Sequence, residues 1–264
     1  MSNLTCTLIQ TNLFWENKEA NFEMFSKKIK SIGQKTEIVI LPEMFTTGFN
    51  MQPEKFAETM DGKTVQWMQQ TARQQNIVLT GSIIVKEENN FYNRLIWMLP
   101  DGTFGYYDKR HLFALAGEDK HYTAGTKRLI ASVKGWKINL QVCYDLRFPV
   151  WARQTPNEEQ AFEYDLLINV ANWPECRSVP WNTLLQARAI ENQCYVIGVN
   201  RVGPDGNNIA HAGDSCVIDP LGARLYTKNN TEDIFTITLE KEALNEARAK
   251  FPFYRDADNF FITI

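Results

Sequence analysis

The chain has 264 residues, and its 28 Lys and Arg against 31 Asp and Glu leave a formal charge of −3. With 44 % apolar or aromatic and 22 % charged residues it has a globular balance, which excludes a disordered protein and supplies no basic excess for a nucleic-acid partner. No apolar stretch approaches the ~18 residues of a membrane span, no secretory signal is visible at the start, and five scattered cysteines do not read as a disulfide framework, so a reduced, cytoplasmic, membrane-free protein is expected.

The hydrophobic pattern alternates between two periods. Leu4 to Gln10 reads as a strand, and Phe22, Phe25, Ile29 and Ile32 then share a helical face before a buried strand from Glu37 to Leu41. Val65, Met68 and Ala72 mark a second helix, and Ile77 to Val85 is strand-like. Asn93 to Leu99 and Thr103 to Tyr107 are joined by Pro100-Asp101-Gly102, which is hairpin chemistry.

The second half repeats the theme. Lys137 to Val142 alternates as a strand, a helix is expected from Pro149 to Gln154, and Tyr164 to Val170 reads as a buried strand. Val179 to Asn192 reads as a longer helix, followed by strands at Tyr195 to Asn200, Ser215 to Ile218 and Ile234 to Leu239. Lys241 to Lys250 is a last helix before an aromatic C-terminal tail from about residue 251. No linker divides the halves, so residues 1–264 read as one α/β domain. Two face-to-face sheets with helices outside, in layers α-β-β-α, are the most economical packing.

Three reactive side chains follow strands: Glu43 after Glu37–Leu41, Lys109 after the strand ending at Tyr107, and Cys143 after the strand ending at Val142. The carboxyl ends of strands are where α/β folds bind ligands. A strand running into the turn Cys143-Tyr144-Asp145-Leu146-Arg147-Phe148-Pro149 exposes a nucleophile and aims backbone N–H groups at an anion. Glu43, enclosed by Leu41, Pro42, Met44 and Phe45, suits general-base work. Each has a plainer reading: an inert buried thiol, a loop acid and a solvated lysine. Cys6, Cys194 and Cys216 read as core residues. His111, His121 and His211 with Glu118 and Asp119 lack zinc-type spacing, and Cys176 has no paired cysteine, so no metal is expected. His111 reads instead as a hydrogen-bonded neighbour of the site.

Leu41-Pro42-Glu43, Asp108-Lys109-Arg110-His111-Leu112-Phe113 and Cys143 to Pro149 resemble, in order, the three signatures of the carbon–nitrogen hydrolase (nitrilase) superfamily. Asn169-Val170-Ala171-Asn172-Trp173-Pro174 resembles a fourth, pocket-forming segment. The likeness runs from about Leu4 to the final helix and implies the four-layer α-β-β-α sandwich, with a homodimer formed by stacked helical faces or a higher homo-oligomer. Cys143-Tyr144-Asp145, in place of the Cys-Trp-Glu of true nitrilases, is similar to the amidase branch. Ala116 to Tyr122 resembles the omega-amidase group and places Glu118 at the family's second acid.

The resemblance implies a Glu43, Lys109, Cys143 triad assisted by Glu118, acting through a thioester on a small omega-amide such as 2-oxoglutaramate or 2-oxosuccinamate, with no cofactor. Lys109 and the Tyr144 N–H would meet the oxyanion, and Trp173 and Phe45 would form an apolar wall. Arg147 would bind a substrate carboxylate, with Arg110 and Arg177 also beside the pocket; alternatively Arg147 pairs with Asp145 and Arg110 is solvated. N-carbamoyl amine or nitrile hydrolysis, and a non-catalytic binding scaffold, are the competing readings.

Overall fold

The structure is a computed structural model and describes residues 2–155, 162–258 and 260–263. β1 (Leu4–Gln10) is followed by α1 (Lys18–Lys30), whose first turn is fixed by the Asn17 side chain accepting the Ala20 N–H. Lys27, Lys28 and Lys30 close α1 against the negative end of its dipole. Phe22, Phe25 and Ile29 are buried on one face, as their spacing predicts, while Ile32 lies beyond the last turn. β2 (Ile38–Ile40), α2 (Pro53–Phe56) and α3 (Lys63–Gln75) follow, with Val65, Met68 and Ala72 on the buried face of α3. β3 (Val78–Glu87), β4 (Asn90–Met98) and β5 (Phe104–Asp108) complete this half. The β4–β5 hairpin turns at Gly102, whose φ of +89° is open to glycine at no steric cost.

The second half contains β6 (Ile130–Val133), β7 (Trp136–Val142), α4 (Pro149–Ala152), β8 (Leu166–Val170) and α5 (Ser178–Asn192). It ends with β9 (Tyr195–Val199), β10 (Gly213–Ile218), β11 (Arg224–Asn229), β12 (Asp233–Leu239) and α6 (Lys241–Lys250). The expected helix after Pro149 is two residues shorter than its pattern suggests. Beyond α6 the expected tail holds one 3-10 turn, Phe253–Asp256, and residues 259 and 264 lie outside the described residues.

Two six-stranded sheets form, in the orders β12-β1-β2-β3-β4-β5 and β11-β10-β9-β8-β7-β6. Each has a parallel trio, β1-β2-β3 or β7-β8-β9, extended by antiparallel strands. The last strand returns to the first sheet, pairing antiparallel with β1 from Leu4↔Leu239 to Gln10↔Asp233. The sheets face each other across Leu4, Cys6, Leu8, Ile38, Ile40, Ile138, Leu140, Val142, Ile168 and Ile197, all essentially inaccessible. Phe25, Val65 and Met68 cover the outer face of the first sheet, and Trp181, Leu185 and Ala189 of α5 cover the second. At about 1.5–3 kcal/mol per buried large apolar side chain, these three interfaces drive the layering. The expected α-β-β-α sandwich is the observed fold.

β5 runs antiparallel to β4, and β4 antiparallel to β3, so β5 ends on the same edge as β2. β7 and β8 likewise run together. Glu43 and Lys109 thus leave the first sheet, and Cys143 and Asn172 the second, into one crevice between the sheets.

Candidate active site

Glu43, Lys109 and Glu118 are fully buried, and the lysine bonds to both acids. Lys109 Nζ lies 3.0 Å from Glu43 Oε1 and 2.8 Å from Glu118 Oε2. The lysine is fixed at its base by its own N–H donating to the Asn93 carbonyl at 2.9 Å, and Gly125 packs so tightly there that a Cβ would sit 2.1 Å from the Asp108 carbonyl oxygen. Burial alone would pull the Lys109 ammonium down; the charges of Glu118 and Glu43 overcome it and hold it above the usual lysine range.

The oxygens of the two acids are not equivalent. Glu118 Oε1 accepts from Lys109 and, at 3.3 Å, from Asn93 Nδ2, while its Oε2 accepts from Lys109 and the Phe113 N–H. Burial pushes Glu118 upward, but donors occupy both of its oxygens and favour the ionised form. Glu43 Oε1 is occupied by Asn93 Nδ2 at 2.8 Å and by Lys109. Glu43 Oε2 accepts the Asn172 N–H at 2.8 Å and keeps a second lone pair for a proton.

Cys143 begins the turn after β7 with φ +46°, a conformation that non-glycine residues adopt at a cost of about 1–3 kcal/mol and that turns the side chain out of the sheet. Burial and then the Glu43 charge push its thiol well above the ordinary cysteine range, so the resting group is S–H, hydrogen-bonded to Glu43. The thiol opens into a pocket of about 310 Å³, large enough for a small ligand and walled by Phe49, Phe113, Tyr144 and Trp173. Arg147 and Arg177 also line it, stacked 5.0 Å from the Trp173 ring and 5.2 Å from the Phe113 ring, and neither forms an ion pair among the described residues.

One expected wall residue is elsewhere. Phe45 is fully buried on the far side of the first sheet, edge-on to Phe25 at 5.6 Å and beside Trp67. Met44, at φ +41° with its N–H on Ser82 Oγ, turns the chain so that Phe45 points outward beneath α1 and α3. The pocket aromatic from this loop is Phe49, which also lies 5.2 Å from Lys109 Nζ. Arg110 is turned away, donating to the Gly125 carbonyl, and Asp145 bonds to His111, Tyr107 and Val142 and not to Arg147. The sequence reading missed Asn93, whose side-chain amide donates to both carboxylates, and placed Asn172 in the pocket-forming segment without its role of holding Glu43 through its backbone N–H. His211 lines the pocket, its ring pushed down to about 4 by burial and the nearby Arg201, and is neutral. Among the described residues, no three His, Cys, Asp or Glu side chains gather as metal ligands.

Residues 5–249 match the carbon–nitrogen hydrolase family. The chain is 44 % identical over 261 residues to omega-amidase YafV of Escherichia coli (strain K12), covering 98 % of this chain and 99 % of that one. It is 29 % identical over 255 residues to 2-oxoglutaramate amidase of Bacillus subtilis (strain 168), covering 96 % of each. A CN-hydrolase superfamily protein from Xanthomonas campestris, with an arsenic adduct in its active site, superposes over 100 % of both chains with a TM-score of 0.97 at 44 % identity. A buried acid–lysine–acid array beside a strand-end cysteine, on this fold and with these relatives, identifies the chain as a member of the carbon–nitrogen hydrolase family, a hydrolase of carbon–nitrogen bonds other than peptide bonds.

Proposed function

We propose that the protein is a thiol amidohydrolase that releases ammonia from the omega-amide of a short 2-oxo dicarboxylic acid, 2-oxoglutaramate or 2-oxosuccinamate. The observation that carries the proposal is the buried Glu43–Lys109–Glu118 array facing the protonated Cys143 thiol. The names of its relatives, omega-amidase and 2-oxoglutaramate amidase, supply the substrate class.

Glu43 Oε2 takes the Cys143 proton as Sγ bonds to the amide carbon, and the carbonyl electron pair moves onto oxygen. The Lys109 ammonium and the Tyr144 N–H stabilise that oxyanion. The carbonyl re-forms, the C–N bond breaks, and Glu43 returns its proton to the nitrogen, which leaves as ammonia. Water then enters, loses a proton to Glu43 and attacks the thioester. The C–S bond breaks, the acid is released and the thiol is protonated again by Glu43. Glu118 keeps Lys109 charged and pointed at the oxyanion. Trp173, Phe49 and the Tyr144 ring bound the acyl chain, and Arg147 takes the distal carboxylate.

Cysteines that are all unpaired suit a reducing compartment, and the proposal places the enzyme in the cytoplasm. It acts there as a homodimer through its α4–α5 face, where Val150, Val179 and Ile190 are exposed. The test is ammonia release, comparing kcat/KM for 2-oxoglutaramate, glutamine and a neutral aliphatic amide. A clear preference for the oxo-acid supports the assignment; equal hydrolysis of the neutral amide reduces it to a general small-amide hydrolase. Carbon dioxide released with the ammonia would instead mark a carbamoyl substrate.

A further inference from the structure

Lys109 and Cys143 enter the site from different sheets, so no ladder of strand hydrogen bonds sets the distance between them. One buried carboxylate spans that gap. Asp145 is inaccessible to solvent, and its Oδ2 accepts the Val142 N–H at 3.0 Å and the Tyr107 hydroxyl at 2.7 Å. Its Oδ1 accepts the His111 N–H at 2.9 Å and lies 2.8 Å from His111 Nδ1. Val142 immediately precedes the cysteine, while Tyr107 and His111 stand two residues before and two residues after the lysine. Both ends are braced further. The Tyr107 oxygen also accepts the Trp151 Nε1–H at 2.9 Å and the Arg110 N–H at 3.2 Å, and the His111 ring stacks on Phe148 at 3.8 Å.

We infer that Asp145, with His111, is a positioning residue for the amidase reaction, fixing the Lys109 ammonium at a set distance from the Cys143 turn. The inference rests on the proposal that Lys109 and the Tyr144 N–H meet the oxyanion, because the gap that Asp145 spans is the gap between those two donors. A carboxylate is required for this arrangement. All the groups around it are donors, and an asparagine has one acceptor oxygen and would turn an N–H₂ against two of them. Neither Asp145 nor His111 faces the pocket, so neither touches substrate.

The test separates oxyanion chemistry from thiol chemistry. Alkylation of Cys143 by iodoacetamide uses the thiol and Glu43 but develops no oxyanion. Asp145→Asn should therefore lower kcat about 100-fold, the loss expected of a misplacement near 1 Å. KM and the alkylation rate should stay within about threefold of wild type. His111→Phe keeps the ring over Phe148 and the backbone N–H but removes the Nδ1 contact, and should lower kcat about tenfold. Because the two act as one unit, the double variant should be no worse than Asp145→Asn alone. If Asp145→Asn does not fold, His111→Phe carries the same comparison by itself.

An alkylation rate that falls in step with kcat would overturn the inference, reducing Asp145 to a support for the cysteine turn. So would an unchanged kcat, or losses that multiply in the double variant. Lys109→Met is the control for the underlying reading: if it keeps wild-type kcat, the oxyanion assignment itself fails. If it loses activity while His111→Phe and Asp145→Asn do not, only the positioning role fails.

Discussion

Lys109→Met replaces the ammonium with an apolar tip of similar reach. The two carboxylates that faced Nζ at 3.0 and 2.8 Å then face each other across an uncharged gap, still inaccessible to water. Removing one partner of a buried ion pair costs about 3–5 kcal/mol. Proton uptake offsets part of that loss, and Glu118 is the group to take it, since burial already pushes it upward. The sign of the pH dependence follows. In the wild type, Lys109 is held above its ordinary range, so its contribution is complete below a pH of 10.5 and is lost only as pH rises beyond that. In the variant, an acid raised in the folded state loses stability as pH rises above the unfolded value of 4.5. The thermal deficit of Lys109→Met should therefore be larger at pH 8 than at pH 5. On the proposed mechanism, catalysis should lose the charged half of its oxyanion site, about 10²–10³ in kcat or roughly 2.7–4 kcal/mol. Ammonia release and thermal unfolding at the two pH values measure both effects. A variant that raises only KM, or whose Tm deficit is the same at both pH values, refutes the reasoning.

Five further substitutions separate the roles of individual groups. Cys143→Ala should lose several orders of magnitude in turnover with little change in Tm, since the side chain lies at the pocket wall; near-wild-type turnover would rule out the thioester. Cys6→Ala, in the core of β1, should leave turnover unchanged and cost about 1 kcal/mol of stability. Glu43→Gln should stop acylation and deacylation alike. Because the Glu43 charge helps hold the Cys143 thiol up, this variant should also form thiolate at a lower pH than wild type, read by ultraviolet difference absorbance against Cys143→Ala. An unshifted titration would contradict the contact. Phe45→Ala should cost about 3–5 kcal/mol with KM preserved, and Phe49→Ala should raise KM at a smaller stability cost; the reverse pattern would return Phe45 to the pocket wall.

Much of the fold is legible in the sequence where burial is one-sided or complete. β1 and α6 match their expected limits residue for residue, and the buried faces of α1 and α3 fall on the predicted positions. The strands that escape the pattern are the edges β6 and β11, whose residues are mostly exposed or half-exposed, so that Arg224 to Asn229 has no apolar alternation to read. Phe45 escapes for a different reason. A run of buried residues after β2 does not tell which sheet face each one takes, and the reversal comes from the positive φ of Met44.

The reactive groups and the groups that hold them differ in legibility for a physical reason. Glu43, Lys109 and Cys143 each follow a strand of their own, and a strand end is a local property. Asn93 acts on Glu43 from 50 residues away within the first sheet, and Asn172 from 129 residues away, in contact only once the second sheet has stacked on the first. Asn93 comes from the strand beside Lys109, and its amide reaches both Glu43 and Glu118. Asn172 comes from the end of β8 in the other sheet and anchors Glu43 through its backbone N–H and its side-chain amide. Asn172 and Asp145 form polar ties across a crevice whose walls are otherwise held by non-directional apolar packing. Apolar packing is non-directional, whereas hydrogen bonds of 2.7–2.9 Å between buried partners from opposite sheets also set direction and register. The proposed reaction, which divides its base, its cation and its nucleophile between two sheets, needs such ties. They fall where the sequence is hardest to read, on small polar residues whose partners are distant in the chain.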